Sequence, residues 1–559
     1  MSLGIRKAVG AALTPSLFLT MRNGYSAAMF LKDLSAGLTV GVVALPLALA
    51  FAIASGLSPV SGLYTAVVAG FVMAFFSGSR FPVSGPTGAF VVIIYNIVSR
   101  YGYEGLVLTT LMAGVMLIIF GLLRLGALIK YIPYPVTTGF TAGIALLIFS
   151  SQMKDFFGLP LADTPPEFLD KWHVYAQNAA SFSPATVTVA LFTLAVIVAV
   201  RRKIPRIPAP VAAVVAATLL VSLTGMPVET IGSRFGALTP GLPEFSLPEG
   251  VTFDRIRLLL PDALTIALLA GIESLLACVV ADSMTGDRHN SNTELVAQGL
   301  GNIASVFFGG FSATGAIART ATNVRAGAQS PVSAIVHSIF LAAVLMWLLP
   351  LMERIPLAAL AAVLVTVAWD MSGWKTIRHV FQGPKSDWSV MLLTFALTVI
   401  LDLTVAVYMG VVLASLLFMR RMSDLTQIRG GKAEEPEALA DLPLHGESVP
   451  EGVQIFSING PLFFGVADRF QRTLEAMENP PKVFILYLHN TPAIDMTGIH
   501  ALESFLARRS PDCRIFLADM QAPARRTLAR VGIVRAIGEE NIFPTLDAAL
   551  DKAREVIAE

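Results

Sequence analysis

The sequence predicts an α-helical polytopic membrane protein of fourteen spans, arranged as an inverted repeat of seven plus seven, with a small cytosolic α/β domain at its C-terminal end. Three observations lead to this fold class. Only 14% of the 559 residues are charged and the mean hydropathy is +0.69, whereas soluble proteins carry about a quarter charged residues. Apolar segments long enough to cross about 30 Å of hydrocarbon recur as far as Met419. From Arg420 onward charged residues become dense.

The change in composition divides the chain into four regions. These are a cytosolic N-terminal lead-in (1–25), a transmembrane domain (26–425), a linker rich in Glu, Pro and Ala (426–450) and an α/β domain (451–559). Within the α/β domain we expect strands at 453–458, 483–488 and 514–519. The helices expected to alternate with them lie at 468–477, 497–508, 522–531 and 545–557.

The count of spans rests on apolar segments and on three less apolar ones. The clear segments lie at 34–54, 60–77, 106–123, 135–150, 184–200, 209–225, 261–281, 332–350, 356–371, 388–402 and 405–419. Segments 77–96, 294–310 and 311–329 are too polar or too rich in glycine for plain spans. If each crosses once, the total is fourteen, and both termini lie on one side of the membrane.

Positive charges indicate that this side is the cytosol, because short cytosolic loops collect Lys and Arg. The longest outward loop, 154–183, is acidic, although the outward loop 225–260 holds three arginines. The inward loops carry Arg124, Lys130, Arg201, Arg202, Lys203, Arg206, Arg288, Lys375, Arg378 and Lys385. The prediction is a multi-pass protein of a bacterial inner membrane with cytoplasmic termini.

Two glycine-rich segments indicate that the membrane domain is duplicated. Segment 77–90 reads SGSRFPVSGPTGAF and segment 309–322 reads GGFSATGAIARTAT. Pro46 precedes Gly88 by 42 residues, and Glu273 precedes Gly315 by the same 42. Paired segments interrupted by Gly or Pro, at matching positions in two halves, are the best sequence indication of a transporter's binding site.

The composition of both segments suits an anion. An unpaired charge in hydrocarbon is costly, whereas the N-terminus of a broken helix offers free backbone N–H groups and the positive end of a dipole. The candidate ligands of the first half are Ser84, Gly85, Thr87, Gly88 and Ala89; those of the second half are Gly315, Ala316, Ile317, Ala318 and Arg319. The alternative is that small residues here only let helices pack closely.

Two charged residues accompany these segments. Arg319 would add a positive charge beside the anion, or it pairs with a carboxylate such as Asp282 or Glu273. Glu273 lies near the middle of an apolar span, where a carboxylate indicates function. It would carry a coupling proton or help hold a coupling cation, and the alternative is a hydrogen bond between helices.

Other functional classes find no support in the sequence. No P-loop, nucleophile elbow or histidine pair at metal-ligand spacing occurs. No basic stripe interleaved with aromatic residues indicates nucleic-acid binding. We therefore predict no enzymatic activity, no cofactor, no metal and no nucleic-acid partner.

Residues 79–93 (SRFPVSGPTGAFVVI), together with the long segment 271–339, resemble the SulP anion transporters, the bacterial relatives of sulfate permeases, pendrin and prestin. The likeness extends from about Tyr25 to Ala558 and is greatest for the enterobacterial C4-dicarboxylate permease branch. It implies a core domain that moves like an elevator against a dimeric gate domain. It also implies an anion site between 84–89 and 315–319, walled by Leu47 and Phe51 and close to Glu273.

The same resemblance bears on the coupling ion. In the sodium-coupled bicarbonate members an aspartate stands at the position of Glu273, and a threonine four residues on helps hold sodium. Here Ala277 takes that position, and Ile317 stands where another hydroxyl is expected. Because sodium needs several oxygen ligands, these replacements favour a proton at Glu273.

The C-terminal domain resembles the STAS domain of the same family, related to anti-sigma-factor antagonists. Those proteins carry a phosphorylatable hydroxyl after a strand, which makes Thr497 a candidate regulatory phosphosite. The favoured alternative is that Thr497 is an ordinary helix N-cap. A cytosolic protein partner at this domain is a further expectation.

The leading functional hypothesis is proton-coupled uptake of a small carboxylate-type anion, with C4-dicarboxylates ahead of bicarbonate and sulfate. The alternatives are sodium coupling, a passive channel or exchanger, and a membrane-bound anion sensor. Substitutions at Thr87 and Gly315 are expected to weaken substrate affinity if the site is placed correctly.

Overall fold

The structure is a computed structural model of the full chain. It describes residues 13–129, 133–161, 164–204, 207–239, 241–248, 250–401, 403–432, 444, 449–463, 465–466, 470, 472, 481–508 and 513–558. The expected lead-in therefore lies partly outside the described residues, and so do most of the linker and of the helix expected at 468–477. The chain divides into two compact units, Met1–Val412 and Leu413–Glu559.

The first half of the membrane unit begins with a short helix, α1, and continues with seven helical segments. Helix α4 counts as two of these, because Gly102 has non-helical backbone angles (φ 69°, ψ −177°) inside it. The elements are α1 (Ser16–Arg22), α2 (Ala27–Ala54), α3 (Pro59–Phe76), β1 (Ser84–Gly85), α4 (Gly88–Leu122), α5 (Gly126–Ile129), α6 (Tyr134–Phe157), α7 (Phe168–Gln177), α8 (Pro184–Lys203) and α9 (Ala209–Thr224). The short helices α5 and α7 lie in the connections.

The second half repeats this order with seven further segments. Its elements are α10 (Ile231–Phe235), α11 (Phe253–Thr285), α12 (Ser291–Phe307), β2 (Thr314–Gly315), α13 (Ile317–Arg325), α14 (Val332–Trp347), α15 (Leu349–Met352), α16 (Leu357–Met371), α17 (Trp374–Phe381), α18 (Lys385–Ile400) and α19 (Leu403–Leu425). The predicted count of fourteen spans and the inverted repeat are confirmed. By length and apolarity alone, seven of the described helices could cross a membrane.

The packing of the two halves follows the repeat. Helix α2 packs on α14 as α11 packs on α4, and α3 packs on its counterpart α12. These elements form one group with the two short strands. In a second group α6 packs on α18, and α8 on α16, again as symmetric equivalents. The large apolar core is continuous through both groups.

Local sequence explains where the helices begin and end. Thr252 caps α11 by accepting a hydrogen bond from the backbone N–H of Arg255 (3.3 Å). Gly158 and Gly286 end α6 and α11 in the left-handed conformation, with φ of 62° and 75°, which a glycine adopts without a steric penalty.

A buried carboxylate ties the first repeat to the second. Asp33, in the first turns of α2, accepts hydrogen bonds from the backbone N–H groups of Gln329 (2.6 Å) and Ser330 (3.1 Å). The hydroxyls of Ser330 (2.5 Å) and Tyr25 (2.8 Å) also donate to it. Four donors satisfy the carboxylate, so it is stable without a counter-charge at this position.

The C-terminal unit is a five-stranded sheet flanked by helices, in the order β3–β4–β5–β6–β7. Strand β3 is antiparallel to β4, and the other neighbours are parallel. The elements are β3 (Gln427–Lys432), β4 (Val453–Asn459), β5 (Val483–Tyr487), α20 (Met496–Arg508), β6 (Arg514–Ala518), α21 (Ala522–Val531), α22 (Ile533–Ile537), β7 (Ile542–Phe543) and α23 (Leu546–Ala558). Strand β3 falls within the segment assigned to the linker, where it forms an edge strand.

Candidate functional site

The two glycine-rich segments meet in an antiparallel strand pair. Ser84 lies opposite Gly315 and Gly85 opposite Thr314, and the N–H of Ala316 donates to the carbonyl of Val83 (3.0 Å). Helices α4 and α13 begin directly after their strands. Two helix N-termini are thereby held beside each other, with their unpaired backbone N–H groups available to an anion.

Side chains of the second repeat hold the strand of the first. The hydroxyl of Thr320 accepts from the N–H of Val83 (3.2 Å), and the amide of Asn323 donates to the carbonyl of Phe81 (2.9 Å). On the other strand Asn302 both donates to and accepts from the backbone of Ala313 (2.9 and 2.8 Å). The polar lead-ins are buried, and these hydrogen bonds satisfy their backbone groups.

The structure brings the five candidates of the first half together at the start of α4. Ser84 and Thr87 are 4% and 8% exposed, and Gly85, Gly88 and Ala89 are buried. Thr87 stands at the N-cap position of α4. Its hydroxyl donates to Oε2 of Glu273 at 3.3 Å.

Gly88 is close to three helices of different groups. A Cβ added at this position would lie 3.4 Å from Phe51 of α2, 3.3 Å from Ile148 of α6 and 2.9 Å from Met371 of α16. Phe51 is buried, and Leu47 is half-buried against the same core. The two predicted wall residues thus lie on the helix beside the start of α4, and only glycine fits at Gly88 without displacing a neighbour.

The candidates of the second half differ in exposure. Gly315 and Arg319 are buried, Ala316 is half-buried, and Ile317 and Ala318 are exposed. A Cβ on Gly315 would lie 3.1 Å from the backbone of Ser274 and 3.5 Å from Ala277, both on α11.

Arg319 reaches across to the first segment. Its guanidinium donates to the carbonyl oxygen of Pro86 and lies against Gly85, where an added Cβ would be 2.7 Å from Nη1. Asp282, one of its expected partners, instead accepts from His289 Nδ1 at 2.6 Å. Among the described residues no carboxylate lies within ion-pair distance of Arg319. A positive charge is therefore buried between the two half-helices.

Glu273 completes the cluster. It lies on α11, is half-buried, and hydrogen-bonds Thr87 of the opposite repeat. The two positions at which a hydroxyl would support sodium binding are Ala277 and Ile317. In the structure Ala277 is fully buried beside Gly315, and Ile317 is exposed.

A network centred on Glu294 was missed. This buried carboxylate on α12 accepts from Ser77 Oγ (2.7 Å), the N–H of Gly78 (3.1 Å) and Ser274 Oγ (2.8 Å). Gln298 donates both to Glu294 (2.9 Å) and to Ser84 Oγ (3.2 Å).

One signal in the sequence could have revealed the network. Glu294, Gln298 and Asn302 are spaced by four residues, which places them on one face of a helix. The segment was treated only as unusually polar, although the polar residues form a single stripe.

In the C-terminal unit Thr497 lies in the first turn of α20 and is exposed. Asp495 caps this helix by accepting from the N–H of Gly498 at 2.8 Å. The interpretation of Thr497 as the N-cap is therefore wrong, because the preceding carboxylate takes that role.

Comparison with known proteins gives a consistent result. A model of the sulfate permease family matches residues 30–394, and a model of the STAS domain matches residues 448–549. A candidate sulfate transporter of Bacillus subtilis (strain 168), YvdB, is 40% identical over 525 residues, covering 93% of this chain and 97% of its own. The bicarbonate transporter BicA of a Picosynechococcus strain is 30% identical over 536 residues, covering 93% and 94%.

Solved structures are similar too. The murine anion transporter Slc26a9 in its inward-facing state has a TM-score of 0.86 at 19% identity, covering 99% of this chain and 95% of its own. The transmembrane domain of a cyanobacterial BicA has a TM-score of 0.61 at 31% identity, covering 70% of this chain and 98% of its own.

Proposed function

Because the chain belongs to the sulfate permease (SulP) family of anion transporters and carries a C-terminal STAS domain, we propose that it is a secondary active transporter coupling uptake of a small oxyanion to a proton. The observation that carries the proposal is the strand pair, which holds two half-helix N-termini together around one buried arginine.

The anion binds between these termini. Backbone N–H groups at the starts of α4 and α13 donate to its oxygens. The hydroxyl of Thr87 becomes a further donor when Glu273 is protonated and donates to Thr87 instead of accepting from it. Arg319 supplies the positive charge that a buried anion requires. Phe51 and Leu47 close the pocket on one side, and the small residues 84–89 and 315–318 let the backbone approach the ligand.

Glu273 is the coupling group. Its carboxylate hydrogen-bonds Thr87 and is close enough to the anion to repel it when ionised. Protonation of Glu273 removes this repulsion, so anion and proton bind together and are released together. The hydrophobic side chain at 277 leaves no oxygen to help hold sodium.

Sulfate and bicarbonate are the favoured substrates, because the similar proteins are named as transporters of one or the other. Both are small oxyanions that fit donors arranged around one centre. C4-dicarboxylates, which the resemblance to the dicarboxylate permease branch implies, are included among the anions of the flux test.

The movement and setting of the transporter are part of the proposal. The two packing groups of the membrane unit correspond to a core that carries the site and a gate that supports it, as an elevator mechanism requires. We propose that the protein is a homodimer in a bacterial inner membrane, with both termini in the cytoplasm. The STAS domain would bind a cytosolic protein, with Thr497 exposed for phosphorylation.

Flux into proteoliposomes tests the function. The full chain is reconstituted, and uptake of sulfate, bicarbonate, succinate, fumarate and chloride is followed under a proton gradient, a sodium gradient or neither. We expect accumulation of sulfate or bicarbonate that follows the proton gradient and collapses with a protonophore.

Each other outcome identifies a different function. Uptake driven by sodium alone overturns the role of Glu273. Flux without accumulation indicates a channel or exchanger, and anion binding without flux indicates a sensor. Accumulation of succinate and fumarate alone assigns the chain to the dicarboxylate branch.

A further inference from the structure

A cavity of about 300 Å³ lies beside the half-helix of the first repeat, between α2, α4, α6 and the connection that contains α7. Helix α2 contributes Ile53 and α4 contributes Tyr95 and Asn96. Its charged lining residues are Lys154 and Asp155 of α6, Lys171 of α7 and Arg234 of α10. The charge distribution places the loop with α7 outside the membrane, so this cavity faces the outer side.

The cavity is lined by the same helices that meet at the candidate anion site. Helices α2, α4 and α6 meet at Gly88, where Phe51 and Ile148 are in contact distance of an added Cβ. The same three helices line the cavity. The residues of α4 that do so include Val91 and Tyr95, one and two turns after Gly88. At 1.5 Å per residue, Tyr95 lies roughly 10 Å along the helix from Gly88.

Among the described residues that line this cavity, Arg234 and Lys171 differ in how their charges are compensated. Arg234 is paired with Asp155 (2.8 Å) and with Glu229. Lys171 is 7% exposed, and its ammonium lies 5.3 Å from the ring centre of Tyr95. Among the described residues no carboxylate lies within ion-pair distance of it.

A buried ammonium without a counter-charge is unfavourable, and one contact with an aromatic ring offsets only part of the penalty. Asn96 lines the same cavity, and its side-chain oxygen is buried with no hydrogen-bond partner in the described part of the chain. Rotation of the amide exchanges donor for acceptor. A buried cation and an amide whose oxygen has no described partner thus line one cavity.

We propose that this cavity is a second anion site, an outer vestibule in which Lys171 and Asn96 bind a small oxyanion before it reaches the half-helix termini. The binding stands on the cavity alone, whereas the delivery step rests on the proposed transport function. Lys171 raises the local anion concentration at the mouth of the pathway, as a charged cleft does for a diffusing ligand.

Binding in the vestibule is sensitive to pH. Burial lowers the pKa of Lys171 to about 8, against a smaller opposing effect of Glu167. A lysine with a lowered pKa loses its charge as the pH rises through that value, so affinity is present below about pH 8 and is lost above it. The other titratable groups that face Lys171 are Tyr95, Lys154, Asp155, Tyr175 and Arg234.

Chemical labelling of the full chain tests binding without transport. A lysine with a lowered pKa is acylated selectively by acetic anhydride near neutral pH, and mass spectrometry of peptides measures its rate. We expect sulfate, which stays a dianion over this range, to slow acylation of Lys171 and to leave the exposed Lys375 on α17 unaffected. Equal rates at Lys171 with and without sulfate, bicarbonate or succinate overturn the proposal.

Flux measurements test delivery. Lys171→Gln should raise the half-saturating external anion concentration at least about tenfold at pH 7. Lys171→Arg should keep the affinity and remove its loss between pH 7 and pH 9. Lys171→Arg also serves as the folding control for Lys171→Gln, and both are compared by size-exclusion chromatography.

The outcomes separate the two proposals. Protection of Lys171 in a protein that carries no anion supports the vestibule and overturns the transport function. Transport with an unchanged half-saturating concentration in Lys171→Gln supports the function and overturns the vestibule.

Discussion

The two glycine-rich segments, 77–90 and 309–322, share one backbone arrangement but differ in most of the side chains that they contribute to the candidate site. In each repeat a two-residue strand leads into the N-terminus of a helix, and the strands pair about a two-fold axis. The helix of the first segment begins at Gly88 and breaks at Gly102, whereas that of the second begins at Ile317 and ends after nine residues at Arg325. Duplication therefore accounts for the geometry and not for the chemistry.

Among the described residues, the charged groups of the candidate site come from the second repeat, whereas Arg80 of the first segment pairs with Asp287 (2.5 Å). Glu273, Glu294 and Arg319 lie on α11, α12 and α13. The first repeat supplies Thr87, which hydrogen-bonds Glu273, and the carbonyl of Pro86, which accepts from Arg319. The difference teaches that one repeat provides a neutral binding surface and the other provides its charge and its coupling group. Substitutions in the two segments should therefore differ in kind.

The largest expected effect is at Glu273. Glu273→Gln keeps a hydrogen-bonding partner for Thr87 but cannot ionise, so accumulation driven by a proton gradient should be lost while counterflow of labelled anion persists. Asp282→Asn, near the end of the same helix, is the matched control and should accumulate anion normally. Full accumulation by Glu273→Gln would remove Glu273 from coupling.

The next effect is at Arg319. Arg319→Gln removes the buried cation that the structure places between the half-helices, and it should weaken anion binding about 100-fold, measured as the half-saturating concentration for uptake. Arg325→Gln, an exposed cation at the other end of the same helix, should leave the value unchanged. An equal effect of both would mean that Arg319 acts only through surface charge.

The two glycines of the strand pair, Gly85 and Gly315, are expected to differ in their effect on stability. Gly85 has a φ of 152° and lies against the guanidinium of Arg319, whereas Gly315 has an ordinary backbone conformation. Gly85→Ala should therefore lower the free energy of unfolding by about 1–2 kcal/mol more than Gly315→Ala. Thermal unfolding of both variants in detergent measures the difference; the reverse order would contradict the assigned strain.

The smallest effect is at Thr87. Thr87→Val removes one neutral donor and should raise the half-saturating concentration about fivefold. Thr39→Val is the control, because that hydroxyl only donates to the carbonyl of Ser35 on an exposed face (2.8 Å). An unchanged affinity in Thr87→Val would place the anion away from the start of α4.

Hydropathy predicted eleven of the fourteen spans because each of these helices is apolar over its own length, and the other three came from counting each less apolar segment as one crossing. The strand pair between Ser84 and Gly315 could not be predicted in register, since short polar segments carry no signal for a distant partner. The break at Gly102 agrees with the sequence, because it falls between the crossings predicted at 77–96 and 106–123.

The site was predicted in its residues and less well in its contacts. The candidates on both segments do lie together, but Arg319 contacts a backbone carbonyl rather than either expected carboxylate. Glu294 was missed because the overall polarity of segment 294–310 does not reveal that its polar residues share one helix face. Strand β3 was assigned to a linker because the sequence QIRGGK has few apolar residues, as an edge strand can.

The strand pair also has a consequence for synthesis and insertion. Ser84 must wait for Gly315, 231 residues later in the chain (315 − 84), before its backbone has a partner. Asp33 likewise waits for Ser330. The nascent first repeat therefore enters the bilayer with an unsatisfied polar segment at its centre, which hydrocarbon does not tolerate. A chain released after the first seven spans should be retained by the insertion machinery or degraded, so the two repeats are one unit of biogenesis.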